Sequence, residues 1–199
     1  KARALIVGPS DTIYECGFLF FDITFPNNYP FSPPEVKYVP QNRIRIHPNI
    51  YVNGKVCLSI LGTWSGPGWT TVMDITNVLV TIQSLLDNDP LCNEPGYEKK
   101  MQPNKELYDN YNMAIKYNTI NSLIINRIKY DLGDFEVFRT KMIECIHKYN
   151  DSINKNIIKD KNLKLTLNLK VYYISIDIDY DRLYNRYLKY LKYYKNLNL

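Results

Sequence analysis

A chain of 199 residues, 45% of them hydrophobic, suits a single domain with a real core and at most an extension. Its net charge of +5 is not gathered into a block of like charges, which argues against a nucleic-acid partner, and no run approaches the roughly 18 apolar residues of a membrane span. Cys16, Cys57, Cys92 and Cys145 are widely spaced and accompanied by two histidines, so neither a disulfide scaffold nor a bound metal is expected. The reading is a reducing compartment, cytoplasmic or nuclear.

In chain order, residues 2–7 and 17–25 read as neighbouring antiparallel strands across the turn Gly8-Pro9-Ser10-Asp11. The second run is apolar on both faces, as a buried strand is. Four prolines between Pro26 and Pro34 form a rigid turn into a third strand at 35–39, and 43–47 fit a short fourth. Residues 48–72 are a long loop, and such loops inside a compact domain usually carry function. Asp74 is placed to cap a helix with Ile75, Val78, Leu79, Ile82, Leu85 and Leu86 on its apolar face, ending near 87–90.

Helical spacing returns over about 104–129 and 134–149, with Gly133 between them. Residues 162–178 alternate as a strand does, and the parity flips near Tyr172–Tyr173, which reads as a bulge. A last helix is expected over 179–195. Its tyrosines also fit a stacking surface for nucleic acid, but a helix with one solvated face and tyrosines in the core accounts for them better. The elements predict an α+β fold, an antiparallel sheet packed on helices, with 1–98 as the core and 99–199 as a helical part that completes and extends it.

Chemistry concentrates before and around Cys57. A cysteine after a Gly-rich turn is a potential nucleophile, though a lone cysteine is more often a small buried hydrophobe. The Asn49 amide can donate to a developing oxyanion, though a lone Asn is more often a turn former. A cysteine hydrolase needs a histidine base. His47 is held by Pro48 and His147 falls in a C-terminal helix, so that reading is weak.

Taken together, Tyr29-Pro30-Phe31-x-Pro33-Pro34, His47-Pro48-Asn49-Ile50 and Gly54-Lys55-Val56-Cys57-Leu58-Ser59-Ile60-Leu61 resemble the signature of the ubiquitin-conjugating enzyme family, over roughly residues 2–90. The strings 58–69 and 93–98 resemble most its Z-type subgroup, which is related to the large conjugating enzymes with inhibitor-of-apoptosis repeats. The resemblance implies a four-stranded antiparallel sheet on helices. It implies a thioester on Cys57, with Asn49 stabilising the oxyanion or bracing the loop around it, and His47 and Pro48 structural. Phe31 would lie where ligases dock. Asp89 would orient the incoming lysine, with Asp87 as the weaker candidate.

The implied partners are ubiquitin or a ubiquitin-like modifier, an activating enzyme, a ligase and a substrate protein, with this chain a monomer. No cofactor is expected to bind directly, because ATP is used by the activating enzyme, and neither a P-loop nor Gly-x-Gly-x-x-Gly is present. In the Z-type subgroup the second, less common activating enzyme supplies ubiquitin, and the human member also accepts a modifier with two ubiquitin-like domains. The rival reading is a non-catalytic ubiquitin-binding scaffold of the same fold, but such variants lack the cysteine.

Several departures stand out. Cys16 occupies a position that is usually Gly. Thr70-Thr71 follow Trp69 where most relatives have Ser-Pro. The loop from Cys57 to Trp69 is longer than common and the one after Leu86 shorter, which puts Asp89 in question. The family's N-terminal helix has no counterpart in this sequence, and is expected either to be lost or to lie in a segment ahead of Lys1.

Overall fold

The computed structural model describes residues 1–98 and 105–195. Strands β1 (Ala2–Val7), β2 (Phe18–Thr24) and β3 (Glu35–Val39) form an antiparallel sheet in the order β1-β2-β3, with Leu5 opposite Phe20 and Phe21 opposite Tyr38. Phe18, Leu19, Phe20 and Phe21 are all buried, because both faces of β2 are covered there. On one face Phe20 stacks on Phe135 at 4.5 Å, with the Arg127 guanidinium 4.4 Å over its ring. On the other, Phe21 meets Tyr38 at 5.5 Å. A strand covered on both sides needs apolar residues at every position.

The turn between β1 and β2 closes tightly. A Cβ on Gly8 would sit 1.8 Å from the Tyr14 carbonyl oxygen, so only glycine fits. Cys16 has a left-handed φ of 60°, which explains why a glycine suits its position, and its side chain is fully buried.

The expected fourth strand at 43–47 does not form. Its backbone groups are taken by side chains instead of by a neighbouring strand. Ile44 N–H donates to Asn42 Oδ1 at 3.0 Å, while Tyr111 and Tyr14 hydroxyls donate to the carbonyls of Arg45 (3.2 Å) and Ile46 (2.6 Å). What remains is a set of isolated bridges, His47 with Ile50, Ile50 with Val56 and Lys55 with Lys37. The first sheet therefore has three strands, not four.

Helix α1 (Ile75–Ser84) begins in a full capping box. Asp74 accepts from the Thr76 and Asn77 N–H groups, and Asn77 accepts from Asp74 N–H. It buries Val78 and Ile82 and stops a little before the expected 87–90. Helix α2 (Lys105–Asn118) runs on through a π-helical stretch (Thr119–Asn126) into a last turn, α3 (Arg127–Lys129). The expected start at 104, and the boundary between 98 and 99, lie at or within the undescribed stretch 99–104.

A 3-10 turn (Gly133–Phe138) leads into α4 (Arg139–Lys159), ten residues longer than its expected end at 149. No breaker intervenes, and Ile153 and Ile157 continue the buried stripe of Ile146. Strands β4 (Lys164–Leu169) and β5 (Ile174–Asp179) make a separate hairpin, with Leu169 opposite Ile174. The parity flip at Tyr172–Tyr173 is thus the hairpin turn and not a bulge in one strand. Both tyrosines take left-handed φ values, 55° and 52°, which reverse the chain. Helix α5 (Tyr180–Lys195) follows at once, its Arg182 N–H bonded to Asp179 Oδ1 at 2.8 Å. Tyr180, Leu183 and Tyr187 are buried, as a core role for the tyrosines requires.

Candidate functional site

The stretch from His47 to Thr63 is held by hydrogen bonds among its own residues, with Arg45 and Tyr38 binding it from outside. His47 is fully buried, and its Nδ1 accepts from the Asn49 N–H at 3.0 Å. Burial pushes the imidazole pKa down to about 3, with a contact to the Leu85 carbonyl offsetting part of the shift and the Arg45 guanidinium adding to it. The ring is therefore neutral, with its proton on Nε2, and its acceptor nitrogen is already used. With its acceptor nitrogen occupied and its basicity lowered, His47 is ill placed to act as a base, which argues against the hydrolase reading. His147 lies on α4 beside Tyr187 and Tyr190 of α5.

Asn49 and Cys57 bond to each other twice. Asn49 Nδ2 donates to the Cys57 carbonyl at 2.8 Å, and Cys57 N–H donates to the Asn49 carbonyl at 2.8 Å. One hydrogen on Nδ2 is left for another acceptor. Asn49 Oδ1 is buried without a hydrogen-bond partner, so the amide is oriented as a donor. Pro48 supplies its carbonyl to Arg45 Nη2, which fixes the peptide joining Pro48 to Asn49.

Thr63 clasps Cys57 from the other side. Its Oγ1 donates to the Val56 carbonyl at 2.6 Å and accepts from the Leu58 N–H at 2.9 Å, bracing both neighbours of Cys57. Cys57 itself is 2% exposed. An open recess of about 390 Å³ adjoins Val56, lined by Pro33, Val36, Lys55, Leu61 and Thr63 among others.

Comparison with known proteins decides what this arrangement belongs to. The family model described as ubiquitin-conjugating enzyme matches residues 1–119. The chain belongs to the ubiquitin-conjugating enzyme family. It is 41% identical over 153 residues to ubiquitin-conjugating enzyme E2 Z of Danio rerio, covering 76% of this chain and 46% of that one. The human protein of the same name is 42% identical over 153 residues, covering 76% of this chain and 43% of that one. The chain thus spans less than half the length of these relatives. Among solved structures, the E2 domain of a Toxoplasma gondii ubiquitin conjugating enzyme is similar at 31% identity, with a TM-score of 0.47 over 61% of this chain and 79% of that one.

Of the residues that the conjugating-enzyme resemblance singles out, the structure brings His47, Pro48, Asn49 and Cys57 into one hydrogen-bonded unit. Asp89 sits on a separate segment, ahead of a 3-10 turn (Pro90–Asn93), with its N–H bonded to Asp87 Oδ1 at 2.8 Å. That segment is tied down by Asn88, which bonds the Asp11 carbonyl and the Ile13 N–H, and by Asn112 of α2, which bonds the Asn88 carbonyl. Asp89 is half-buried and Asp87 exposed. Phe31 is 76% exposed, beside a packed step in which Trp69 Nε1 donates to the Pro30 carbonyl at 2.7 Å. Sequence reasoning does not mark Arg45 or Thr63 as site residues. Arg45 lies outside the quoted strings, Thr63 lies within 58–69 but with no role read for it, and their partners are backbone groups that composition does not mark.

Proposed function

We propose that this chain accepts ubiquitin, or a ubiquitin-like modifier, from an activating enzyme as a thioester on Cys57 and passes it to a substrate lysine, with a ligase docking near Phe31. The observation that carries this reading is the doubled hydrogen bond between Asn49 and Cys57, which fixes an amide donor beside the sulfur-bearing residue. In the first step the Cys57 thiolate attacks the carbonyl carbon of the activating enzyme's thioester. A C–S bond forms to Cys57, and the activating enzyme's sulfur leaves as a thiolate. In the second, a lysine amine attacks the same carbon, the C–N bond forms, and Cys57 leaves as a thiolate.

Both steps pass through an oxyanion. An amide donor held by its neighbours lowers such a barrier by about 3–4 kcal/mol without reorganising. Asn49 is that donor through the Nδ2 hydrogen that its bond to the Cys57 carbonyl leaves over, or else it braces the loop. Because Cys57 is 2% exposed, loading requires a small outward shift of the segment that Thr63 ties. His47 and Pro48 hold the geometry. Asp89 orients the lysine, and solvent takes its proton. The chain binds no nucleotide itself, acts as a monomer, and works in the cytoplasm and nucleus. Residues 1–98 carry the site and 99–199 complete and extend the core.

By likeness to the Z-type relatives, the activating enzyme is the second, less common one, and a modifier with two ubiquitin-like domains is an alternative cargo. One charging assay with a panel of activating enzymes and modifiers, run without reductant, tests this reading. Adduct formation with ubiquitin supports it, and the absence of any adduct with every pair rejects it.

A further inference from the structure

One aromatic residue of the C-terminal hairpin reaches the His47–Asn49 segment through a single arginine. Arg45 lies between two tyrosine rings, with its guanidinium 3.6 Å from the Tyr51 ring centre and 4.2 Å from that of Tyr172. The same guanidinium donates through Nη2 to the Pro48 carbonyl. Tyr172 fixes the other side of the clamp. Its hydroxyl donates to Glu94 Oε2 at 2.5 Å, and that carboxylate oxygen is 3.9 Å from Arg45 Nη2. Tyr111 meets the Tyr172 ring edge-on at 6.0 Å and donates to the Arg45 carbonyl at 3.2 Å.

The consequence falls on one peptide bond. Its oxygen, on Pro48, is held by Arg45, and its N–H, on Asn49, is held by His47 Nδ1 at 3.0 Å. A peptide unit pinned at both ends has a fixed plane, so the direction in which the Asn49 side chain leaves the backbone is fixed too. Tyr172 adopts a left-handed φ of 55° at the hairpin tip, a conformation that a tyrosine rarely takes, and in this conformation its ring lies over Arg45. A guanidinium between two aromatic faces keeps one orientation, because it is attracted to both rings and flanked by both.

From this geometry we infer that Tyr172 is a positioning residue for the reaction at Cys57, acting through Arg45 and the Pro48–Asn49 peptide to hold Asn49 in place. The inference rests on the reading of Cys57 as the thioester carrier. It gives the hairpin of residues 164–179 a role in the transfer step beyond packing against α2.

The test uses the full chain and two readouts. In the first, ubiquitin is loaded on Cys57, the activating enzyme is quenched, and discharge to free lysine is timed. Tyr172→Ala is expected to slow discharge by about ten- to a hundredfold, the range for small misplacements of a supporting group. Tyr172→Phe, which keeps the ring and loses the bond to Glu94, should recover most of that loss. In an Asn49→Ala background, Tyr172→Ala should cost nothing further, because the group it positions is gone.

The second readout needs no chemistry. Amide hydrogen exchange at Asn49 should quicken about tenfold or more in Tyr172→Ala, as a local opening becomes easier. Parental discharge by Tyr172→Ala overturns the inference, as does an equal further loss in the Asn49→Ala background. If Tyr172→Ala does not fold, Tyr172→Leu, which keeps an apolar side chain but removes the ring over Arg45, carries the test, and parental discharge with parental Asn49 exchange in it overturns the inference. If the parent chain forms no adduct on Cys57, the proposed function fails. The positional link is then judged by exchange alone, and unchanged Asn49 exchange in Tyr172→Ala overturns it.

Discussion

The Asn49 side-chain amide and the Cys57 carbonyl are 2.8 Å apart, and the Cys57 N–H returns a bond of 2.8 Å to the Asn49 carbonyl. Two residues eight positions apart are thereby locked as a pair, with His47 beneath one and Thr63 against the neighbours of the other. Either removing the amide or loosening its lock should register in the chemistry at Cys57.

The roles of Asn49 and Asp89 are separable by the choice of nucleophile. Asn49→Ala should slow discharge of a preloaded thioester to free lysine by roughly ten- to a thousandfold, the range for losing an oxyanion donor or its support. Asp89→Ala should slow discharge to lysine but spare hydroxylamine, which is already neutral near pH 7. Raising the pH should partly rescue Asp89→Ala and leave Asn49→Ala slow. Parental behaviour of Asp89→Ala at every pH would mean that the carboxylate is not Asp89, and Asp87 would be the next to test.

Stability should depend on pH through His47. Its folded pKa is about 3, depressed from an ordinary 6.5 mainly by burial. Between those values the unfolded chain binds the proton and the folded chain does not. The contribution is therefore fully present above pH 6.5 and is lost as pH falls towards 3, by roughly 3–5 kcal/mol in all. Urea denaturation of the parent between pH 4.5 and 6.5 should show stability rising with pH. His47→Asn, whose Oδ1 can accept the Asn49 N–H, should flatten that rise. An equal slope in both proteins would assign the pH dependence to other groups.

Thr63→Val keeps the shape and removes two hydrogen bonds beside Cys57. It should destabilise the chain by about 1–3 kcal/mol, because the Val56 carbonyl and Leu58 N–H lose their partner. It should also slow both loading and discharge severalfold. Unchanged kinetics with lowered stability would make Thr63 a packing residue alone.

Much of this was legible in the chain itself where the signal is local. Strand parity marks 2–7 and 35–39, and Asp74 two and three residues before its N–H partners marks the start of α1. Apolar spacing up to Ile146 marks α4, though not its continuation through Ile153 and Ile157. What escaped is what distant residues decide. The strand at 43–47 is replaced by a coil because Tyr14 and Tyr111 take the carbonyls of Ile46 and Arg45. The hairpin at Tyr172–Tyr173 is hidden because neither residue is a glycine or asparagine, the usual markers of left-handed turns. At the site, His47, Pro48, Asn49 and Cys57 are readable as one string, whereas Arg45, Thr63 and Tyr172 enter only through folding.

Selectivity for the activating enzyme should follow the lengthened loop before Trp69 and the string around Glu94. With any native preceding segment present, the common activating enzyme should charge this chain more slowly than the second one, by analogy with the Z-type relatives. Equal initial rates with both enzymes would remove the support for that pairing.

The most direct test of the account is the chemical identity of the adduct. Incubate the chain with an activating enzyme, ATP and ubiquitin, separate the products without reductant, and map the modified residue by mass spectrometry. The account predicts a single adduct on Cys57 that thiol reductant removes, a slower and reductant-resistant oxyester with Cys57→Ser, and none with Cys57→Ala. A reducible adduct that persists in Cys57→Ala, on Cys16, Cys92 or Cys145, would contradict it.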